Sequence, residues 1–452
     1  MKVTAVIAEY NPLHNGHVRH IETARRETGA DHVIAVMSGD YVQRGCPAII
    51  SKYERTRSAL LAGADLVIEL PVQYSCGSLE YFAMGAVSLI QQLGMADCIS
   101  FGSECGDIEL LKEASGYISF RSGHSAKEPD IRDPHDGDTK GRNMEHTSES
   151  KSSVLRSLEQ GFNYSHAVNS DASVPPHIRS ILSTPNNLLA AAYIEAARLL
   201  SFDCGFHTMK REGSAYHDAS DGALSSSALR KELFKASAAG GLERIYSRMP
   251  EDVHKSLCDH LADHSVINED DLSLLLFYRL QEFSEDPAGL TEFLDVSSSL
   301  AAKILAGYSH ASSYSQLCMA LKSKDMNYSR ISRALLHILI GLKTLSVHEY
   351  INDGWHYYIR PLGFRRSFAA VMSELKRSSS LPVISKNADA ERILNSFCYS
   401  DGSSLITNDG ARLRSVRMFR EGIRASDLYN KAVCIKSRQP FLSEYEHTMV
   451  IL

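Results

Sequence analysis

Four short apolar runs recur through residues 1–115, and a helical pattern follows each of them. The runs are KVTAVIAEY, DHVIAVMSG, ADLVIELP and ADCISFGSE. The first intervening segment, GHVRHIETARRETG, carries Val18, Ile21 and Ala24 on one helical face and ends at Gly29, a typical helix stop. Strands that are apolar throughout and separated by single helices form parallel sheets covered on both faces. The sequence therefore predicts an α/β, Rossmann-like parallel-sheet domain.

Beyond this sheet the chain changes character three times. Residues 122–153 are charged or small with almost no apolar residues, which predicts a flexible polar insertion. The α/β pattern then resumes in NNLLAAAYIEAARLL and FHTMKREG, so we extend the first domain over 1–235. Helix formers dominate 240–345, which predicts a helical domain. The basic segment 350–452 predicts a small α+β C-terminal module.

Composition narrows the class of protein. The chain has 452 residues, of which 44% are hydrophobic and 23% charged, as in soluble globular proteins. Its N-terminus carries neither a basic leader nor a long apolar stretch, so we expect a cytoplasmic protein with no membrane span. Nine cysteines are scattered without a CxxC pair, so neither a disulfide framework nor a metal site is expected. The net charge is −6, although the part from Trp355 onward carries an excess of Lys and Arg.

The segment EYNPLHNGH lies where the first strand ends and the first helix begins. Ligands of open parallel sheets bind at this edge, where helix N-termini favour anions. Gly16 lets a ligand approach the backbone, and His14 and His17 can donate hydrogen bonds to phosphate oxygens. The alternative is that both histidines cap the helix and face solvent. The zinc motif HExxH is excluded, since Asn15 and Gly16 occupy its middle positions.

A second turn suited to an anion is GALSSSALRKEL. Ser225, Ser226 and Ser227 can cap a helix and bind an anion, with Arg230 one turn later. A serine-rich helix start is common, so the pattern alone is weak evidence. Its position after the last strand of the α/β domain predicts that it faces the HNGH turn across one pocket.

HNGH and LSSSALR together resemble the HxGH and ISSTxxR signatures of the HIGH-type nucleotidyltransferase superfamily. The further segments VMSGDYVQRG, GADLVIELP, FGSE, TPNNLLA, KREGSAYHD, YIRPLGF and ASDLY follow in an order similar to that of the tRNA(Met) cytidine acetate ligase family. The resemblance spans nearly the whole chain except 122–153. It implies a nucleotidyltransferase domain that forms acetyl-adenylate from acetate and ATP, with Mg²⁺ on the triphosphate. The acetyl group then passes to N4 of the wobble cytidine of elongator tRNA(Met).

The same resemblance implies a set of site residues. The catalytic groups are His14, His17, Ser226 and Arg230. The ATP-binding residues are Ile7, Ala8, Glu9, Tyr10, Asn11, Pro12, Leu13, His14, Asn15, Gly16, His17, Val18, Arg19, His20, Gly102, Asn186 (preferred over its neighbour Asn187) and Arg211. No general base for the cytidine step is identified, and the oligomeric state is open.

Two interpretations stay open for each of the other basic side chains. Lys52, Arg55 and Arg44 are either further phosphate contacts or helix-surface residues. The candidates for tRNA backbone contact, which otherwise form a solvated face, are Arg365, Arg366, Arg412, Arg414, Arg417, Arg420 and Arg424. An Arg360-Pro361 step is a departure from the family that could alter a strand edge. Two rival functions stay open: an adenylyl- or cytidylyltransferase acting on a small phosphorylated metabolite, and a non-catalytic RNA-binding protein.

Overall fold

The computed structural model describes most of the chain. The described residues are 1–120, 171, 173–211, 226–239, 242–323, 326–399 and 408–452. The predicted insertion 122–153 and Ser225 lie outside them. In the described part, no helix is long and apolar enough to cross a membrane.

Strands occur where the apolar runs predicted them, and further strands appear near the C-terminus. Their bounds are β1 Val3–Ala8, β2 His32–Ser38, β3 Tyr41–Val42, β4 Cys46–Pro47, β5 Leu66–Leu70, β6 Cys98–Ser103, β7 Gly205–Lys210, β8 Pro361–Phe364 and β9 Val450–Ile451. One sheet has the order β7-β6-β1-β2-β5-β8-β9, and β3 pairs with β4 in a separate hairpin. The strands from β7 to β5 are parallel, as predicted.

Helices follow the strands and then dominate the chain beyond β7. Their bounds are α1 Asn15–Thr28, α2 Lys52–Leu61, α3 Val72–Ser75, α4 Leu79–Gln92, α5 Ile108–Ser115, α6 Pro176–Leu182, α7 Pro185–Leu199, α8 Ser226–Ala239, α9 Glu251–Asp263, α10 Ser273–Gln281, α11 Ser298–Tyr308, α12 Tyr314–Leu321, α13 Tyr328–Ile340, α14 Thr344–Asn352, α15 Met372–Ser378, α16 Ala390–Ser396 and α17 Asn408–Ser437. Gly29 ends α1 in the left-handed conformation at φ 64°, which glycine adopts without strain. The predicted stop of that helix is confirmed.

Both faces of the sheet are buried. Alternate strand residues belong to two different hydrophobic clusters, one on each face. Val3 and Ile34 pack with the helices of one face, and Val6 and Val33 pack on the other. Side chains of successive strand residues point to opposite faces, so a strand buried on both sides is apolar throughout. The continuous apolar runs of the sequence therefore have a direct structural cause.

The helical region and the C-terminal segment differ in how they pack. Helices α10 to α13 surround a core of their own, centred on residues such as Leu280 and Leu335. The C-terminal strands instead extend the N-terminal sheet: β8 lies antiparallel to β5, and β9 lies parallel to β8. The pairing of β8 shifts register where Pro361 lies opposite Ile68, since proline has no N–H to donate. The segment 350–452 thus shares the main sheet, and the proposed domain boundaries stay predictions.

Candidate functional site

The HNGH turn is built as a helix cap in which histidines replace the usual short polar residues. His14 is the N-cap of α1, and its Nδ1 accepts a hydrogen bond from the Gly16 N–H at 3.1 Å. The His14 N–H in turn donates to Nδ1 of His17 at 3.2 Å. Each side chain satisfies a backbone donor of the first turn, as in a capping box. The capping alternative is therefore correct in part, and it fixes how both rings can act.

The two imidazoles are held as neutral hydrogen-bond donors. Their rings stack with centroids 3.8 Å apart, and Tyr10 packs edge-on against His17. Burial, followed by the charge of Arg211, lowers the pKa of His14 to about 4. Burial, followed by His14 and Arg211, also lowers the pKa of His17 well below 6.5. Because Nδ1 of each ring accepts a backbone hydrogen bond, the ring proton lies on Nε2 in both residues.

The serine turn meets the HNGH turn, as the sequence predicted. Nε2 of His14 lies 3.1 Å from the hydroxyl of Ser226, where α8 begins. Arg230 donates to the Asn11 carbonyl at 2.7 Å and to the Ser227 hydroxyl at 2.9 Å. Two helix N-termini, those of α1 and α8, therefore face one space lined by hydroxyl and imidazole groups. This arrangement favours an anion with several oxygens.

Arg44 completes the cationic side of this space. It lies between β3 and β4, is exposed, and its Nη1 lies 3.5 Å from the Ser227 hydroxyl. Arg44 and Arg230 thus approach the same hydroxyl, and burial together with the like charge of Arg44 lowers the pKa of Arg230. Two guanidinium groups so close together are stabilised by an anion bound between them. The phosphate-contact reading of Arg44 fits this geometry.

Arg211 and Gly102 form another wall. The Arg211 N–H donates to the Ser103 carbonyl at 2.9 Å, just past the end of β7. A Cβ on Gly102 would lie 3.3 Å from Cγ of Arg211, so a side chain there would press on the arginine stem. The electrostatic influence of Arg211 reaches His14 and His17. Glycine at this position leaves room for the arginine stem next to β6.

The predicted asparagines hold the loop after β6 against the start of α7. Asn187 is buried, and its Oδ1 accepts from the N–H groups of Glu104 and Cys105 at 2.9 and 3.1 Å. The Glu104 carboxylate accepts from the Asn187 N–H at 2.8 Å and from the Asn186 side chain at 2.6 Å. Sequence analysis missed Glu104. The sequence signal was the acidic residue of FGSE directly after β6. In the structure Thr184 makes no side-chain cap at the start of α7, and the Glu104 carboxylate accepts from that helix start instead.

The remaining residues of the run from Ile7 to His20 have different positions. The buried Asn11 accepts from the Ile49 N–H at 2.8 Å through its side chain and so ties the turn to the segment before α2. Leu13 packs in the core, and Asn15 donates to the Ser247 carbonyl at 3.1 Å. Arg19 is exposed on α1. Binding of ATP by the whole run stays a prediction.

Lys52 and Arg55 have neither of the two roles expected for them. Lys52 is fully buried and its ammonium lies 2.8 Å from Glu69 and 2.7 Å from Glu444, both carboxylates. Arg55 is also fully buried, and its guanidinium donates to backbone carbonyls, including those of Glu9 at 2.8 Å and Ser38 at 2.9 Å. Both cations are therefore paired inside the protein. Arg55 joins the carboxyl ends of β1 and β2, which carry the HNGH turn.

The basic residues near the C-terminus fall into two groups. Four arginines of α17 pair with nearby carboxylates: Arg412 with Asp409, Arg414 with Asp353, Arg417 with Glu349, and Arg420 with Glu391. Arg365, Arg366 and Arg424 are exposed and make no salt bridge among the described residues, although the charge of Arg424 acts on Glu421. If this surface contacts RNA, the second group is the better placed for phosphates.

The chain matches one family model and several curated relatives over most of its length. The family model HIGH Nucleotidyl Transferase matches residues 1–128 and 138–440. A tRNA(Met) cytidine acetate ligase from Thermoanaerobacter sp. (strain X514) is 31% identical over 443 residues, covering 96% of each chain. One of the same name from Clostridium perfringens (strain SM101 / Type A) is 32% identical over 396 residues, covering 86% of this chain and 91% of the relative.

Two solved structures share the fold over the full length of both chains. They are Thermotoga maritima TmcAL bound with alpha-thio ATP, with a TM-score of 0.80 at 23% identity, and its apo form, with a TM-score of 0.82 at 24% identity.

Proposed function

Because the chain belongs to the HIGH nucleotidyl transferase family and to its tRNA(Met) cytidine acetate ligases, we propose that it activates acetate with ATP and acetylates elongator tRNA(Met). The first step forms acetyl-adenylate and diphosphate. The second transfers the acetyl group to N4 of the wobble cytidine and releases AMP. A protein acting on tRNA in this way works in the cytoplasm.

The observation that carries the proposal is the meeting of His14 and Ser226 between two helix N-termini, with Arg230 and Arg44 on one side. Uncharged N–H donors, hydroxyl groups and two guanidinium groups converge there. A triphosphate presents oxygens to each of them at once. The site therefore suits the triphosphate of a nucleotide such as ATP.

In the first step, a carboxylate oxygen of acetate attacks the α-phosphorus of ATP. The protein contributes position and charge stabilisation rather than covalent chemistry. The Nε2–H groups of His14 and His17 donate to the phosphoryl oxygens that gain charge in the transition state. Arg230 and Arg44 stabilise the departing diphosphate. Since both imidazoles are neutral, the site does not lose these donors at neutral or alkaline pH.

Magnesium fits this site as an ion carried by the nucleotide. No cluster of three or more His, Cys, Asp or Glu side chains in the described part of the chain is arranged to hold a metal. Mg²⁺ keeps several water ligands and takes phosphate oxygens readily, so few protein ligands are needed. When bound, it neutralises charge on the triphosphate.

The second step needs the cytidine outside its base stack, as is usual in single-stranded RNA recognition. The exocyclic amine attacks the acetyl carbonyl, AMP leaves, and the nitrogen loses one proton. Exposed arginines at 365, 366 and 424 support a phosphate-binding surface near the C-terminus. Transfer to elongator tRNA(Met) in particular rests on the family relationship.

Two reactions test the proposal. The first measures exchange of labelled diphosphate into ATP, which acetate should stimulate if acetyl-adenylate forms. The second measures transfer of labelled acetate to total tRNA, with N4-acetylcytidine identified after digestion to nucleosides. Exchange that does not need acetate but needs a phosphorylated metabolite supports the metabolite transferase instead. Absence of both exchange and transfer supports an RNA-binding protein without catalysis.

A further inference from the structure

A chain of hydrogen bonds runs from His20, one helical turn after His17 on α1, to the protein surface. Nε2 of His20 lies 2.9 Å from the Ser100 hydroxyl, and that hydroxyl lies 2.9 Å from Nδ1 of His207. Nε2 of His207 lies 3.0 Å from the Glu27 carboxylate. Ser100 is fully buried, whereas the Glu27 side chain is 49% exposed. The four groups connect α1, β6 and β7.

The direction of each hydrogen bond in this chain follows from Glu27, its exposed member. The Glu27 carboxylate can only accept, so Nε2 of His207 carries a proton. In neutral His207, Nδ1 then accepts from the Ser100 hydroxyl. The Ser100 oxygen therefore accepts from Nε2–H of His20, which leaves Nδ1 of His20 with a free lone pair. The chain thus fixes one tautomer of His20.

This tautomer distinguishes His20 from the other two site histidines. Nδ1 of His14 and Nδ1 of His17 already accept backbone hydrogen bonds, so both rings offer a substrate only N–H donors. Nδ1 of His20 has no hydrogen-bond partner among the described residues. His17 and His20 lie one turn apart on α1. Ser100, the partner of His20, lies two residues before Gly102 on the face of β6 that the Arg211 stem covers. His20 is therefore the histidine able to accept a proton there.

We propose that Nδ1 of His20 removes the proton from the attacking amine, and that Ser100 and His207 pass a proton on toward Glu27. This inference rests on the proposed function. As the N–C bond forms and the bond to AMP breaks, the amine proton moves to Nδ1 of His20. The Nε2 proton moves to Ser100, and the Ser100 proton moves to Nδ1 of His207. His207 then carries the charge beside the Glu27 carboxylate and releases a proton to solvent.

The electrostatics explain why a relay is needed. Burial, followed by the charges of His207 and Arg211, lowers the pKa of His20 to about 4. His20 is therefore neutral and available at pH 7, but a charge held there, buried and beside Arg211, is unfavourable. The hydrogen bond from His207 lowers the pKa of Glu27, which keeps that carboxylate ionised. Moving the charge to His207 places it next to its counter-ion.

The test separates the two half-reactions in a Ser100→Ala variant. This change removes one hydroxyl from the middle of the relay and leaves both histidines in place. The rate of acetyl transfer from preformed acetyl-adenylate to tRNA in a single turnover is expected to fall about 10- to 100-fold. Acetate-dependent exchange of diphosphate into ATP, which releases no amine proton, is expected to change much less. Ser88→Ala, at another buried serine, is the matched control, with neither rate affected.

A second variant guards against a purely structural effect. In His207→Ala, added imidazole is expected to restore acetyl transfer in proportion to its concentration, because it can take the place of the missing ring between Ser100 and Glu27. Glu9→Gln tests the other acceptor in the run, whose carboxylate already accepts from the Gln43 N–H at 3.0 Å.

The outcomes decide between the proposals. Unchanged transfer in Ser100→Ala, an equal fall of both half-reactions, or loss of transfer only in Glu9→Gln would overturn the relay. Absence of acetate-dependent exchange in the wild-type protein would instead overturn the proposed function itself.

Discussion

The side chains of His14 and Ser226 lie 3.1 Å apart, although 212 residues separate them along the chain. His14 uses Nδ1 to cap its own helix and Nε2 to reach the first residue of α8. The His14 ring therefore makes a helix-capping hydrogen bond through one nitrogen and a hydrogen bond in the site through the other. Substitutions can remove them separately.

A His14→Asn variant should lose activity without losing the helix cap. Asparagine is a strong N-cap whose Oδ1 can accept from the Gly16 N–H, but it has no group at the position of Nε2. We expect acetate-dependent exchange of diphosphate into ATP to fall about 100-fold, as when one transition-state donor is removed. His14→Ala should lose this activity and also about 1 kcal/mol of unfolding free energy. Wild-type exchange in His14→Asn would refute the role of Nε2.

Removing Lys52 should destabilise the protein strongly. Its buried ammonium lies near three carboxylates, those of Asp40, Glu69 and Glu444, and Lys52→Met leaves uncompensated charge in the interior. We expect a loss of about 3–5 kcal/mol in unfolding free energy, measured with urea. Lys112→Ala, which breaks an exposed pair within α5, should cost under about 0.5 kcal/mol. Equal costs for the two variants would contradict the burial assigned to Lys52.

Stability should fall as the pH is lowered from 6.5 toward 4. Burial lowers the pKa of His356 to about 4, so between these values the unfolded chain binds more protons than the folded one. The stabilisation is therefore present above the unfolded pKa and is lost as pH falls through the folded pKa. His356 alone should contribute about 2 kcal/mol of difference between pH 7.5 and pH 5.

Urea unfolding of wild type and His356→Phe at both pH values measures this contribution. The histidine is 3% exposed and bonds the Gly85 carbonyl at 2.7 Å, so the variant should be less stable overall but should depend less on pH. A parallel pH dependence in both proteins would show that other groups are responsible.

Binding of tRNA should depend on the exposed arginines that make no salt bridge in the described part of the chain. We expect the triple variant Arg365→Ala, Arg366→Ala and Arg424→Ala to bind tRNA more weakly. The slope of log K against log salt concentration should fall by about 0.7 for each phosphate that the variant no longer neutralises. A matched variant with the same charge change, Lys112→Ala, Lys235→Ala and Lys343→Ala, removes exposed lysines already paired with glutamates. Equal salt slopes in the two variants would contradict an RNA surface at the three arginines.

Local patterns in the sequence were sufficient for the parallel sheet and for the first wall of the site. Strands buried on both faces need nearly continuous apolar residues, and β1 has them except at Thr4, and β2 except at its ends, His32 and Ser38. The HNGH turn follows β1 directly, and ligands of such sheets bind at that edge. The serine turn before Arg230 also carried a recognisable anion-binding pattern. Each of these inferences uses residues close together in the chain.

The tertiary structure decided which polar side chains are available to a ligand. Lys52 and Arg55 lie on a helix whose charges resemble a solvated surface, yet they are buried against distant carboxylates and carbonyls. Glu104 closes the loop beside Asn187, and Ser100 links two histidines from different elements. Periodicity reports the faces of single elements, whereas a side chain's partner depends on how elements pack. The sequence alone therefore determined the strands and the two anion-binding turns. The roles of the individual polar side chains were determined by contacts between segments far apart in the chain.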